Sequence, residues 1–332
     1  MDALLACFFN GSGAGERIIR SRLSGATSAS SPFEVSMVDV GQGSLAALHK
    51  VGGAPRLFFD LGWPTIFNSW TAPLAKPLLQ HNEAPVVLSH WDWDHWGLAI
   101  DKAGWSKKDE CWKINWNTAA LNRPWIVPGV GPNWGNVSIC PIHWRLALAL
   151  TRKRNFYRWP HSLLELRWAT MTICRTTGGK PKDRNQHGLV MVVHQNRGVV
   201  NPKPVRGILL PGDADYKNIP FLTPSLKPTF LFSGLAATHH GGRFTRSVTP
   251  IPTAHAWLAF SVGHKNKYQH PKKLAQMQYL KKGWNYQALT SQRVNGPGAS
   301  PDVPPDGSDL LTTSETRTLP ATASGVMWLG KQ

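Results

Sequence analysis

Ser89-His90-Trp91-Asp92-Trp93-Asp94-His95 is the stretch on which the reading of this chain turns. Four side chains with metal affinity, His90, Asp92, Asp94 and His95, fall within it. Imidazole nitrogens and carboxylate oxygens are the usual ligands of zinc, manganese and non-haem iron. In an extended segment alternate residues face one side, so positions 90, 92 and 94 turn together, and His95 joins from the turn that follows. Acids and imidazoles packed this closely repel or lose hydration unless a cation joins them. A solvated polar loop is the bland alternative, and the interleaved Trp91, Trp93 and Trp96 argue against it. Pro85-Val-Val-Leu-Ser89, just upstream, reads as a short buried strand that delivers the run to its C-terminal edge.

The same theme, an apolar strand ending on a polar residue, recurs outward from this run. Gly207-Ile-Leu-Leu-Pro-Gly-Asp213 ends on an acid, and Leu235-Ala-Ala-Thr-His239-His240 ends on two histidines. Leu189-Val-Met-Val-Val-His194 and Ala256-Trp-Leu-Ala-Phe-Ser-Val read as further strands. Before the run, Phe33 to Val40 alternates as a strand, and Gly41-Gln-Gly43 is a tight turn. Strands at 46–49 and 56–60 follow, joined by a Gly52-Gly-Ala-Pro turn. Helices are expected at 72–82, near 141–154, and from Pro271 to Lys282, the last with proline in its first turn. Residues 1–31 read as a flexible N-terminal extension, ending in a Ser/Gly/Ala/Thr tract. Residues 32–332 read as one α/β domain, with a Trp- and Arg-rich insertion around 101–160. Residues 294–309, rich in Pro, Gly, Ser and Asp, read as a loop.

Composition narrows the class. The 332 residues are 42% hydrophobic, enough for a sizeable core, and 37 Lys plus Arg against 19 Asp plus Glu give a net charge of +18. A field of that sign draws polyanions, which favours nucleic acid or another polyphosphate as partner. Four scattered cysteines with no CxxC pair give no support to a cysteine zinc site and suggest a reducing compartment. No apolar run approaches the length of a membrane span, and Met1 to Phe9 lacks the basic start of a signal peptide, so the cytoplasm is the expected location. Nine of the 16 tryptophans lie between Trp91 and Trp144. They either fill a core or stack on bases, and composition leaves both open.

His-x-Asp-x-Asp-His is similar to the His-x-His-x-Asp-His signature of the metallo-β-lactamase superfamily, with Asp92 in place of the second histidine. That replacement resembles the branch containing the C-terminal domain of the DNA-uptake competence protein ComEC. Asp39-Val-Gly-Gln-Gly43, Leu210-Pro-Gly-Asp213, Thr238-His-His-Gly-Gly242 and Ser261-Val-Gly…Asn266-x-Tyr268-x-His270-Pro271 resemble further motifs of that branch, in order. The resemblance spans about 33–290. It implies a four-layer αββα metallo-β-lactamase sandwich that binds two divalent metal ions, zinc or manganese. His90 and Asp92 would hold one ion, and Asp94 and His95 the other. Asp213 would bridge them, and His239, favoured over His240, would complete the second site. The superfamily's middle histidine has no clear counterpart. His187 and His194 lie in the right region, and Asn185 resembles the Asn-containing segment of the branch.

The resemblance thus implies a metal-dependent phosphodiesterase, a nuclease acting on DNA or RNA through a metal-bound hydroxide. Two ions about 3.5–4 Å apart hold such a nucleophile and polarise a phosphoryl oxygen. Asp94 or Asp213 would orient it, and His270 would donate a hydrogen bond to phosphate or protonate the leaving oxygen. Asn266, Tyr268, Lys265 and Lys267 are expected phosphate contacts. Asp39 is expected to orient a ligand from behind, and Asp60, at the end of its strand, either does the same or caps a turn. Two alternatives stay open. One is a small-substrate hydrolase of the same fold, a choline-phosphate esterase or lactonase, with tryptophans caging a quaternary ammonium. The other is a degenerate module that binds nucleic acid or a protein partner from the same system.

Overall fold

Short apolar runs flanked by glycine, proline and polar residues make the strands, and the alternating direction of successive side chains fixes which of them face which layer. The computed structural model describes residues 14–26, 33–50, 53–79, 83–168, 170–194, 205–222, 230–291 and 326–331. The strands are β1 (Phe33–Val38), β2 (Ala46–Lys50), β3 (Pro55–Phe59), β4 (Val86–Val87), β5 (Ile100–Ser106), β6 (Cys111–Trp116), β7 (Trp125–Val127) and β8 (Phe156–Arg158), then β9 (Glu165–Trp168), β10 (Met171–Arg175), β11 (Leu189–His194), β12 (Val205–Leu210), β13 (Phe230–Ala236), β14 (Pro252–Phe260), β15 (Tyr286–Leu289) and β16 (Val326–Lys331). The α-helices are α1 (Glu16–Leu23), α2 (Thr118–Leu121), α3 (Pro141–Arg152) and α4 (Lys273–Lys281).

This is a mixed α/β protein with two main sheets of mixed strand direction. One runs β16-β1-β2-β3-β4-β7-β8 and the other β15-β14-β13-β12-β11-β10-β9, while β5 and β6 pair only with each other. In the first sheet β16 through β3 pair antiparallel, and β3, β4, β7 and β8 pair parallel. In the second, β9 to β12 pair antiparallel and β12 to β15 parallel.

Alternation sorts the core into three clusters. Leu57 and Val87 of the first sheet share one cluster with Met191 and Ile208 of the second, so the two inner faces pack together. Phe58, Val86 and Leu88 point the other way, onto Leu146, Ala147 and Leu150 of α3. Val190, Val192, Leu258 and Phe260 likewise face outward onto Ala275 and Tyr279 of α4. Each such side chain, fully buried, contributes roughly 1.5–3 kcal/mol of transfer free energy.

Several expectations change. Within the stretch read as a flexible extension, residues 14–26 carry α1, and Ile19, Leu23 and Ala26 are buried in the inter-sheet cluster. The expected helix at 72–82 is not formed over 72–79: the turn of helix there is a 3-10 segment at Ile66–Thr71, and Pro73 and Pro77 prevent its continuation. Within 101–160 the hairpin β5–β6 stands apart, but β7 and β8 are integral to the first sheet. The loop expected at 294–309 lies outside the described residues. No helix among the described residues is long and apolar enough to cross a membrane.

Candidate metal centre

Five strand ends converge on one place. Asp60 follows β3, Ser89 and His90 follow β4, Asp213 follows β12, His239 and His240 follow β13, and Ser261 follows β14. All five strands run parallel to a neighbour, and the C-terminal ends of parallel strands are where open α/β sheets form their crevices. Gly212, at φ +57, lets the Asp213 turn close on the metal run: a Cβ there would lie 2.5 Å from Ser89 Cβ. Gly62 does the same beneath Asp94, where a Cβ would meet its carbonyl oxygen at 2.0 Å.

Asp213 sits at the middle. Its Oδ1 lies 3.2 Å from His95 Nε2 and 3.8 Å from His240 Nε2, and its Oδ2 lies 3.7 Å from His90 Nε2 and 3.8 Å from His239 Nε2. His90 Nε2 is also 3.5 Å from Asp92 Oδ2, and His240 Nε2 is 3.4 Å from Asp94 Oδ2. His90, His95 and Asp213 offer ligand atoms within 4.8 Å of one another, and so do Asp94, His95 and His240.

The other ring nitrogens are held from behind. Asp60 accepts from Ser89 N (2.7 Å), from Ser89 Oγ (2.8 Å) and from His95 Nδ1 (2.7 Å). Since the Ser89 hydroxyl gives its proton to Asp60, its oxygen accepts from His90 Nδ1 at 3.0 Å. His240 Nδ1 donates to the Ser261 carbonyl at 2.6 Å, and Ser261 Oγ donates to Gly43 O at 2.6 Å. With Nδ1 carrying the proton, each Nε2 presents a lone pair to the centre. The Nε2 atoms of His90, His95 and His240 are buried and make no hydrogen bond.

The electrostatics call for positive charge in this centre. Burial opposes the charge on Asp92, but His90 and Arg184 overcome it and hold the carboxyl at about 2. Arg184 Nε reaches Asp92 Oδ1 at 2.6 Å. Burial also opposes the charge on Asp213, and the surrounding histidines drive it well below the usual carboxylate range. For His95, burial is outweighed by Asp213 and Asp60, which raise it well above its ordinary value. Three carboxylates in a buried centre must be balanced by positive charge, as protons on imidazoles or as metal cations. Inward lone pairs on three fixed imidazoles suit a cation.

All seven expected ligands, His90, Asp92, Asp94, His95, Asp213, His239 and His240, meet here. The sequence reading favoured His239 beside Asp94 and His95, whereas it is His240 that groups with them. His239 faces the oxygen of Asp213 that His90 faces, with Asn185 Nδ2 3.3 Å from its Nδ1. His187 and His194 lie outside the cluster: His187 Nε2 contacts Lys180 O, and His194 Nε2 contacts Thr172 Oγ1. His270 stands beside the centre, its ring 5.4 Å from that of His239 and 6.4 Å from that of His240. Burial first, then charge on His240 and His239, lowers it to about 3, so it is a neutral imidazole. Tyr268 lies 5.8 Å from the His270 ring and is exposed at the rim. Asn266 braces the loop: it donates to Gly263 O and His270 O and accepts from His270 N. Lys265 and Lys267 are exposed on that loop, and Lys267 Nζ lies over the Phe67 ring. Asp39 accepts from Gly41 N, which shapes the turn whose Ser44 N donates to Asp94 O.

Sequence reasoning missed Ser89 and Arg184 as parts of the centre. Ser89 opened the metal run, and Arg184 precedes Asn185, but neither neighbourhood in sequence discloses a hydrogen bond to a side chain brought in from elsewhere. Searched against known families and curated proteins, the chain matches no family model and no curated protein.

Proposed function

We propose that the chain is a metal-dependent phosphodiesterase of metallo-β-lactamase type, a nuclease that acts on DNA or RNA. The observation that carries the reading is the set of buried, unpartnered Nε2 atoms of His90, His95 and His240 around Asp213. Two packed sheets with helices over both outer faces support the four-layer αββα sandwich. In this reading His90 and Asp92 would hold one divalent ion, and Asp94, His95 and His240 would hold the other. Asp213 would serve both sites, and His239, 3.8 Å from the Asp213 oxygen that His90 also faces, would supply the nitrogen that the superfamily takes from its middle histidine. Zinc and manganese suit this nitrogen and oxygen donor set.

Bound there, the two ions supply Lewis acidity toward a phosphoryl oxygen and a water acidified to near neutrality. The chain's own residues do the rest. Asp60 and Ser89 fix the ring planes of His90 and His95. Asp94 or Asp213 would orient the attacking water. His270, neutral and beside the centre, hydrogen-bonds a phosphate oxygen rather than acting as an imidazolium acid. Arg184 neutralises Asp92 and lies where an anionic substrate gains from its charge. The net charge of +18 supports a polyanionic substrate. The free thiols of Cys111, Cys140 and Cys174 support action in the cytoplasm.

The test is cleavage of labelled single- and double-stranded DNA and RNA with manganese, magnesium or zinc, alongside metal content by mass spectrometry. Wild type is expected to bind metal and cleave, and Asp213→Ala to lose both. Metal-loaded wild type that turns over bis-p-nitrophenyl phosphate but no nucleic acid would replace the nuclease with a small-substrate hydrolase. Failure to take up metal at all would sink the enzyme reading.

A further inference from the structure

The β5–β6 hairpin belongs to neither main sheet, and both of its strands are largely exposed. Trp105 and Trp112 pair across it in register, with ring centroids 6.3 Å apart at 75°. They are 56% and 50% exposed, so they leave much of their apolar area in water. Clustered exposed apolar area of this kind marks a binding surface.

Beside the pair, a cleft of about 370 Å³ opens between β6 and α3. Trp112 and Trp116 wall one side, and Arg145, Arg152 and Lys153 the other. Arg145 Nη1 donates to Trp112 O at 2.8 Å, which fixes the hairpin to the helix. No acidic residue lines the cleft. A quaternary ammonium would be repelled there. A ligand with both a flat π-face and negative charge is matched on both counts. The exposed hairpin turn, Lys107-Lys108-Asp109-Glu110, is balanced in charge, and Lys113 is paired with Asp109 at 3.2 Å, so the basic side of the cleft is that of α3. Helix α3 links this cleft to the metal run. His143, in its first turn, packs edge-on against Trp91 and Trp96, and Arg152 lies about 14 Å further along the axis.

We propose that the cleft between the β5–β6 hairpin and α3 is a binding site for single-stranded nucleic acid, distinct from the metal centre. Trp105 and Trp112 stack on unpaired bases, and Arg152 and Lys153 hold phosphates. The single strand is favoured because a base within a duplex has no free face for a tryptophan. That the bound strand is also the substrate rests on the nuclease reading; the binding itself does not.

The test is fluorescence anisotropy of a labelled twenty-nucleotide single-stranded DNA, its RNA equivalent and the matching duplex, with the full chain in chelator. Single strands are expected to bind more tightly than duplex. Trp105→Ala and the double reversal Arg152→Glu with Lys153→Glu are each expected to weaken binding about fivefold or more. The double reversal should also lower the salt slope by about 1.4, or 0.7 per lost phosphate. The same charge change at Lys281 and Lys282, at the end of α4, is expected to weaken binding less than twofold. Thermal unfolding of Trp105→Ala checks that the fold is intact. Three results would overturn the proposal: wild-type affinity in both cleft variants, equal weakening in the α4 control, or tighter binding to anionic phospholipid vesicles than to the oligonucleotide. Metal-dependent cleavage with unchanged affinity in the variants would keep the nuclease and discard the cleft. Binding through the cleft with no cleavage under any metal would do the reverse.

Discussion

Trp91 and Trp96 on one side, and Trp105 and Trp112 on the other, lie within one short stretch of chain and lead opposite lives. The first two are 1% and 0% exposed and sit in the cluster between the first sheet and α3. Their indole nitrogens donate to Pro128 O at 3.0 Å and to Trp91 O at 3.1 Å, so nothing polar is stranded by their burial. Alternation makes them a wedge: while His90 and Asp92 turn to the metal centre, Trp91 turns away from it into the core. The second two stand on a hairpin that no sheet covers. One pair therefore holds the metal run in place, and the other is free to bind. The quaternary-ammonium cage allowed by the tryptophan count gains nothing from Trp91 and Trp96, whose rings are covered.

The contrast can be broken at either end. Trp96→Ala is expected to destabilise the fold by about 3–5 kcal/mol, read from denaturant unfolding. A loss under about 1 kcal/mol would mean that the wedge is not structural. His143, beside both buried tryptophans, comes next. Burial first, and then Arg184, lowers its folded pKa to about 4. Because this folded value lies below the unfolded 6.5, stability is complete above pH 6.5 and is lost as pH falls toward 4. The full effect is about 3 kcal/mol. Unfolding free energies of wild type at pH 7 and 4.5 should show the drop, and His143→Gln should lack most of it. Asp60→Asn weakens the brace behind His95 and Ser89. Metal affinity, measured by competition with a chromogenic chelator, is expected to fall about 10–100-fold. Asp109→Asn on the hairpin should leave that affinity unchanged. The smallest effect is on stability in Trp105→Ala, expected within about 0.5 kcal/mol of wild type. A larger loss would place this ring with the core tryptophans after all.

Much of the layout was legible because strands buried on both faces read as unbroken apolar runs, whatever the direction of their neighbours. Val86 to Leu88, Leu189 to Val193 and Ile208 to Leu210 are such runs, and each leads to or from the centre. The hairpin was not legible. Ile100 to Ser106 is exposed on both faces after its first residue, so it has no inside and outside for a pattern to record. The helix expected at 72–82 is absent over 72–79, where Pro73 and Pro77 forbid it. Within the site the gathering of acids and histidines was readable from their crowding in the sequence, but the braces were not. Asp60 and Ser89 are 29 residues apart and meet only because β3 and β4 pair in parallel. Which of His239 and His240 groups with Asp94 and His95 likewise depends on backbone angles that neighbouring letters do not specify.

Those angles have a consequence for the history of the chain. Asp60, His239 and His240 are non-glycine residues at φ 64°, 49° and 53°. The left-handed region costs an L-residue roughly 1–2 kcal/mol, and glycine much less. The protein would be easier to fold without its centre. In a library sorted on heat resistance alone, glycine should rise at 239, whose side chain is half-buried, but not at 240, where the loss of a packed ring outweighs the relief. A lineage released from selection on chemistry would drift the same way and grow tougher as it lost its trade.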